Sequence, residues 1–450
     1  MSEPSNKAVF ASGLTALLVT AGSSVGLGNI WRFPYLVGEG GGGAFLIIYL
    51  LAVIFIGHPI MLAEFAVGRS THLNPVGAYS VHKKRWGLLG FNGVLAAFLV
   101  MGFYLVVSGW TLEYVVVAVA GEFASAASSA DYGAHFEAFV SHPYRPLIYA
   151  WIFLVISHII IAMGVEKGLE RVAKVLMPAL FVMLVILAIA SLMMPGSIEG
   201  LKYLFIPDFS KVTPRVVLDA VGQLFFSLSL AMGPLITFAS YFRDETDLRQ
   251  TATRLTLLDT GVAILASVII LPAVFSVGIE PSSGPSLVFI TLPSILNTLP
   301  FSQFLSIVFF ALLFVAALTS TLSVHEVVTL YLSEEFKMTR KKAVRLASAS
   351  VSVLATLSAL SFSVLSEHKI FGLGFFDLLD SITSHLLMPL GGVLNCIYVG
   401  WVMERSFIEG QLRRKVNNND FFIRANIVLL RYICPVAIFI IFLDGVGVFS

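Results

Sequence analysis

Eleven apolar runs of membrane-crossing length leave this chain few folds to choose from. A helix needs about 20 residues to cross the hydrocarbon core of a bilayer. Runs of that order lie near 12–36, 44–69, 88–120, 146–164, 170–194, 216–241, 253–278, 303–333, 342–366, 374–402 and 425–447. With 57% hydrophobic and 12% charged residues among 450, the composition excludes a soluble globular protein. No polar stretch is long enough to bury a core of its own, so the chain reads as a single all-α polytopic membrane domain, 1–450. A net charge of +1 argues neither for nucleic acid nor for acidic partners; the lipid bilayer is the partner the composition demands. Cys396 and Cys434 both fall inside apolar runs and read as small core residues, not as a disulfide framework.

Met1 to Lys7 is polar and lacks the basic-then-apolar layout of a cleaved signal, so the first run is expected to insert uncleaved. Alternate links hold Lys83, Lys84, Arg85; Lys167, Arg171, Lys174; Arg243, Arg249, Arg254; Lys337, Arg340, Lys341, Lys342, Arg345; and Arg405, Arg413, Arg414, Lys415, Arg424. The opposite links hold only Arg145, Lys202, Lys211, Arg215 and Lys369. Basic residues collect on the cytoplasmic side, which predicts the amino terminus inside and the carboxyl terminus outside.

Two of the runs are interrupted. Gly22, Gly26 and Gly28 weaken the helix across the first run, Pro34 closes the stretch, and Asn29 and Arg32 are costly at membrane depth without partners. A Gly22–Gly26 packing face fits the spacing but leaves Asn29 and Arg32 without a role. A helix broken there exposes carbonyls and half-helix ends, tolerated only inside protein or along a cavity. Ser227 to Pro234 breaks the sixth run in the same way, and paired breaks in two halves of a chain point to a binding site between them. The segment 286–300 is apolar but too short to span; by itself it fits an amphipathic stretch at the interface, whereas the family resemblance given next implies a lid folded inward.

Ala21 to Pro34, the Gly40-Gly41-Gly42-Gly43-Ala44-Phe45 run and Gln223 to Ser229 together resemble the neurotransmitter:sodium symporter family, over nearly the whole chain. The resemblance implies a leucine-transporter-like fold with discontinuous first and sixth helices. It comprises two inverted five-helix repeats, about 12–194 and 216–402, followed by an extra helix at 425–447. Many members have twelve helices; stopping after eleven resembles a bacterial subgroup, which implies the bacterial cytoplasmic (inner) membrane. The implied activity is sodium-coupled import of a neutral, hydrophobic amino acid. A membrane amino acid sensor on the same fold is the alternative, and complete ion sites and gates argue against it.

Sodium is a hard cation that takes oxygen ligands. By resemblance one sodium would use Ser24, Asn29, Ser227 and Asp259, completed by the substrate carboxylate, and a second would use the carbonyls of Gly22, Val25 and Ala316 with the hydroxyls of Thr319 and Ser320. Taken alone, the Thr319-Ser320 pair also fits hydroxyls bonding back to their own helix. Amine-transporting relatives carry an aspartate where this chain has Gly26, so the substrate is expected to bring its own carboxylate. That group would meet Tyr104 and the amides around Leu27 and Gly28, at a half-helix amino end. Carbonyls near Phe226 and Ser229 would hold the amino group, and Val100, Phe226, Met232 and Val324 would form an apolar wall near Ser320. Ala231 replaces a glycine frequent in the family and is expected to narrow the pocket or stiffen the break. Asp259, the sole acid between Leu255 and Gly278, implies a chloride-independent member; an aspartate facing cytoplasmic solvent is the alternative.

The resemblance also implies gates: Arg32 with Asp380 outside, Phe226 as a lid beneath them, Lys7 with Glu334 inside, and Gly168 with Pro178 framing a segment of the fifth helix that unwinds. Glu64 is expected to support the broken first helix. The one catalytic-looking pair, His325-Glu326, lacks a second histidine at metal-ligand spacing, and no Lys-Ser/Thr follows the glycine run, so enzyme and nucleotide-binding readings fall away.

Overall fold

The computed structural model describes residues 8–81, 83–125, 129–276, 287–413 and 420–448. Nine helices among them are long and apolar enough to cross a bilayer: Gly43–Thr71, Lys84–Ala120, Arg145–Ala162, Val165–Leu192, Leu248–Ser276, Ser302–Glu335, Arg340–Leu360, Phe375–Val402 and Phe421–Gly445. Gly13–Ser24 and Gly28–Glu39 form a tenth span bent by 59°. Pro214–Ser227 and Pro234–Ala239 form the sixth of eleven in chain order, each half too short to cross alone. Among the nine unbroken spans the third and eighth, Lys84–Ala120 and Ser302–Glu335, are the most enclosed, with 72% and 78% of their apolar windows buried. The eleventh, at 28%, lies at the periphery. Cys396 and Cys434 are buried free thiols.

The breaks follow from backbone chemistry. The first helix ends as Val25 turns extended (ψ 96°), its N–H still bonded to Ala21 O at 2.7 Å. In the sixth span Ser229, Ala231 and Gly233 adopt positive φ of 53°, 61° and 94°. The left-handed region costs a non-glycine residue about 1–2 kcal/mol, so two such residues so close together need outside support. They receive it: Ser229 Oγ donates to Ser23 O at 2.8 Å, and Ala231 N–H donates to Glu64 Oε1 at 2.8 Å. Glu64 therefore braces the broken sixth helix and not the first, because its helix, His58–Thr71, runs against Pro234–Ala239. Each break is stitched to something the other half of the chain supplies.

Leu287–Leu296 turns inward as a short helix with Leu287, Val288, Phe289 and Leu292 buried, deciding between the two readings of that segment. Phe289 stacks on Phe136 with centroids 5.4 Å apart and meets Trp31 and Trp110 edge-on. Ser286 lies outside the described residues.

Candidate functional site

A cavity of about 30 Å³ lies between the two breaks. It is lined by every residue expected to touch substrate except Leu27: Ser24, Gly26, Gly28, Val100, Tyr104, Phe226, Ser227, Ser229, Met232, Ser320 and Val324. Leu27 lines a larger cavity of about 480 Å³ on the Arg32 side, while its N–H points to Tyr104 OH at 3.3 Å. The two cavities share Phe226, whose ring stands between them under the Arg32 guanidinium at 5.7 Å. Gly28 makes room for that ring, since a Cβ there would sit 2.8 Å from it. A Cβ at Gly26 would lie 2.5 Å from Ser320 Oγ and 3.3 Å from Tyr104 OH, so two hydroxyls converge where a side chain is missing. The Ala231 methyl faces Gly391, 3.1 Å from where a Cβ would stand, and Ala231 does not line the 30 Å³ cavity. Its methyl therefore does not narrow that cavity.

One wall of the cavity is an oxygen cluster. Asn29 Nδ2 donates to Asp259 Oδ1 at 2.7 Å and to Ser227 Oγ at 3.0 Å, and Ser227 Oγ donates to Asp259 Oδ2 at 2.8 Å. Asn29 Oδ1 accepts from Gly26 N–H at 3.1 Å, which ties the cluster to the break itself. Asp259 is fully buried, so it does not face cytoplasmic solvent. Tyr49 OH reaches Asp259 Oδ2 at 3.5 Å, a contact invisible in the sequence because Tyr49 sits inside an uninterrupted apolar run. Ser24 Oγ is buried without a hydrogen-bond partner. Ser23 Oγ already uses Thr20 O, and Val25 N–H uses Ala21 O. An orphaned hydroxyl beside a carboxylate, an amide oxygen and a second hydroxyl fits a hard monovalent cation. No group of three or more His, Cys, Asp or Glu suited to a metal ion occurs among the described residues.

A second set of oxygens lies one turn deeper. Ser320 Oγ reaches across to Gly22 O at 3.4 Å, whereas Thr319 Oγ1 bonds back to Val315 O and Ala316 O at 3.1 Å each. Val25, Gly22, Ala316, Thr319 and Ser320 thus supply carbonyl and hydroxyl oxygens only, with no fixed charge. The fifth span covers this region: Leu169, Val172 and Ala173 line a cavity of about 10 Å³ with Gly22, Thr319 and Ser323. Gly168 lies in the wound segment Val165–Glu170, where Ile160 O leaves no room for a Cβ, and Pro178 sits inside Arg171–Leu192.

Arg32 and Asp380 line the same 480 Å³ cavity, and Asp380 accepts from Ser384 Oγ at 3.0 Å where an ion pair with Arg32 was expected. On the opposite side Glu334 Oε2 accepts from Asn74 N–H at 2.6 Å and Asn74 Nδ2 at 3.0 Å, while its expected partner Lys7 lies outside the described residues. Sequence reasoning missed a second tie there. Glu326 is fully buried and receives Arg340 Nη1 at 2.9 Å, Arg340 Nη2 at 2.5 Å and Tyr241 OH at 2.6 Å. Tyr241 O in turn accepts from Phe10 N–H at 2.9 Å. The larger cavity thus lies at the Arg32 end, while the Glu326 end is held by an ion pair and hydrogen bonds.

A model of the sodium:neurotransmitter symporter family matches residues 7–135 and 144–449. The chain belongs to that family. It is 37% identical over 443 residues to the uncharacterized sodium-dependent transporter YhdH of Bacillus subtilis, covering 98% of each chain. It is 35% identical over 450 residues to an uncharacterized sodium-dependent transporter of Haemophilus influenzae, covering 97% of each. Among solved structures, MhsT in complex with L-phenylalanine superimposes with a TM-score of 0.91 at 41% identity, over 98% of this chain and 100% of that one. The fold is thus that of the leucine-transporter-like symporters, and the chain is a multi-pass membrane protein of a sodium-dependent transporter family.

Proposed function

We propose that this chain is a sodium-coupled symporter that imports neutral, hydrophobic L-amino acids by alternating access and does not require chloride. The observation that carries the reading is a cavity lined both by apolar Val100, Met232 and Val324 and by polar Asn29 and Ser227, whose side chains bond the buried Asp259. A zwitterion with an apolar side chain satisfies both walls at once. Support also comes from MhsT, a 41% identical neighbour solved with L-phenylalanine.

Two sodium ions are assigned: one to Ser24, Asn29, Ser227 and Asp259 with the substrate carboxylate, one to Gly22, Val25, Ala316, Thr319 and Ser320. Bound there, they neutralise the carboxylate and the carbonyl ends that the breaks expose. Tyr104 OH and the Leu27 N–H, already 3.3 Å apart, would share the substrate carboxylate, and carbonyls near Phe226 and Ser229 would take its ammonium. Phe226 closes over the bound molecule, Arg32 and Asp380 then pair above it, and the Tyr241, Glu326 and Arg340 ties release below. The assigned location is a bacterial cytoplasmic membrane, amino terminus inside and carboxyl terminus outside.

A thermal-stabilisation screen of the purified protein with all common amino acids, with and without sodium, tests the reading. Selective, sodium-dependent stabilisation by hydrophobic amino acids is expected; stabilisation by amines lacking a carboxylate, or by none, would contradict it. Tyr104→Phe should weaken that binding by about 1.5–3 kcal/mol, the value of one hydrogen bond to a charged group, measurable as a shifted titration midpoint. Arg32→Gln or Asp380→Asn should cut uptake far more than equilibrium binding, because the pair acts on a conformational equilibrium. Equal losses in both assays would remove Arg32 and Asp380 from the gate.

A further inference from the structure

The link between the second span and the short helix Pro75–Ser80 touches the moving parts on both sides. His72, left-handed at φ 52°, places Nδ1 3.0 Å from Ser240 O and Nε2 3.3 Å from Asp244 Oδ1, both just beyond the inner half of the sixth span. Two residues on, Asn74 is 1% exposed and engages every polar atom it has. Its Oδ1 accepts from Val76 N–H at 2.9 Å and Gly77 N–H at 3.3 Å, and its carbonyl accepts from Ala78 N–H at 2.8 Å. Its N–H donates to Glu334 Oε2 at 2.6 Å, and Nδ2 donates to Glu334 Oε2 at 3.0 Å and Glu335 Oε1 at 2.8 Å.

Glu334 and Glu335 are the last two residues of the helix Ser302–Glu335. Two carboxylates side by side repel each other, and the carboxyl end of a helix repels both. Three donor contacts from one buried residue offset that repulsion. The residue itself is anchored: a Cβ at Gly90 would lie 2.5 Å from Val76 Cα, so the backbone after Asn74 presses directly on the third span. Asn74 is therefore a fixed post on the third span that grips the end of the eighth, next to a histidine that grips the loop after the sixth.

We propose that Asn74 is a positioning residue of the inner gate: it holds Glu334 and Glu335 together in the inward-closed arrangement, and that grip must be lost for the inner pathway to open. The proposal rests on the alternating-access reading above.

Asn74→Asp keeps the oxygens that start the Pro75–Ser80 helix but turns a third carboxylate toward Glu334 and Glu335. Asn74→Ser keeps one such oxygen and drops the Nδ2 donors. Each is compared with the parent by alkylation of a Val19→Cys reporter on the inner half of the first span, in saturating sodium. Alkylation should rise about tenfold in Asn74→Asp and less in Asn74→Ser, with amino-acid affinity changed less than about threefold. Adding Glu334→Gln to Asn74→Asp should restore most of the protection. Parent-like alkylation in a folded Asn74→Asp protein, or no rescue by Glu334→Gln, would overturn the proposal. Should the parent bind no amino acid with sodium, the transport reading fails, while the alkylation ratio still judges Asn74.

Discussion

Replacing Gly26 with aspartate is expected to abolish amino-acid binding. The position has no side chain, and the nearest atoms to a Cβ there are the hydroxyls of Ser320 and Tyr104, at 2.5 and 3.3 Å. A carboxylate on that Cβ would stand where the substrate carboxylate is assigned. Two like charges about 4 Å apart repel by about 4 kcal/mol at an effective dielectric of about 20, close to a thousandfold in affinity. Gly26→Asn is nearly isosteric with the aspartate and uncharged, so it isolates the steric part. Calorimetric titration with L-phenylalanine and L-leucine in sodium should find Asn weakened and Asp undetectable. Equal losses in the two variants would mean that crowding against Ser320, not charge, excludes the ligand. The same geometry predicts that tryptophan competes far better than tryptamine for the wild-type site.

Asp259→Asn is expected to weaken sodium binding at least tenfold. Two sodium ions and a zwitterion bring two net positive charges into a buried space, and Asp259 is the fixed negative charge bonded to Asn29 and Ser227 on the wall of that cavity. Uncompensated charge in such a place is costly, and a neighbour at about 4 Å changes its energy by several kcal/mol. Asparagine keeps one oxygen for the cation and for Ser227 Oγ but turns an NH2 toward the Asn29 Nδ2 donor, so the loss reports the charge together with that hydrogen bond. Ala263, buried one turn further along the same helix, is the place to supply a chloride ligand: Ala263→Ser in the Asp259→Asn background should restore part of the sodium affinity in chloride but not in gluconate. Sodium titrations of stability that coincide for wild type and Asp259→Asn would remove Asp259 from the site.

Much of this is legible in the sequence because the breaks are made of residues that a membrane helix otherwise avoids. Glycine density between Gly22 and Gly28, Pro34 and Pro234, and polar Asn29 at membrane depth are enough to announce a cavity. The lone acid Asp259 stands out for the same reason, and it meets Asn29 and Ser227 across 230 and 32 residues of chain. What stays hidden depends on partners distant in sequence. Glu64 carries no mark that says which break it braces; only the packing of His58–Thr71 against Pro234–Ala239 decides for the sixth span. His325-Glu326 resembles a catalytic dyad, yet the fold divides it. His325 sits between Ser157 and Ser348 hydroxyls at 2.9 and 3.2 Å, while Glu326 turns to Arg340 and Tyr241. Arg340 reads in the sequence only as one of the positive charges that set orientation, because a basic residue in a link between spans fits that role without further explanation. The separation of Arg32 from Asp380 is hidden for another reason: the same charges stand in the sequence whether or not they pair, and only the structure shows Asp380 bonded to Ser384.

Sodium moving through this chain should carry a hydrophobic amino acid with it and need no chloride. Purified protein in proteoliposomes, loaded with potassium gluconate and diluted into sodium gluconate, tests this directly by uptake of labelled L-phenylalanine or L-leucine. Accumulation above the external concentration is predicted, collapsing when sodium is equal on both sides and the membrane potential is dissipated, and unchanged when gluconate is replaced by chloride. Uptake that only equilibrates, that proceeds equally in potassium, or that appears only in chloride would contradict the account.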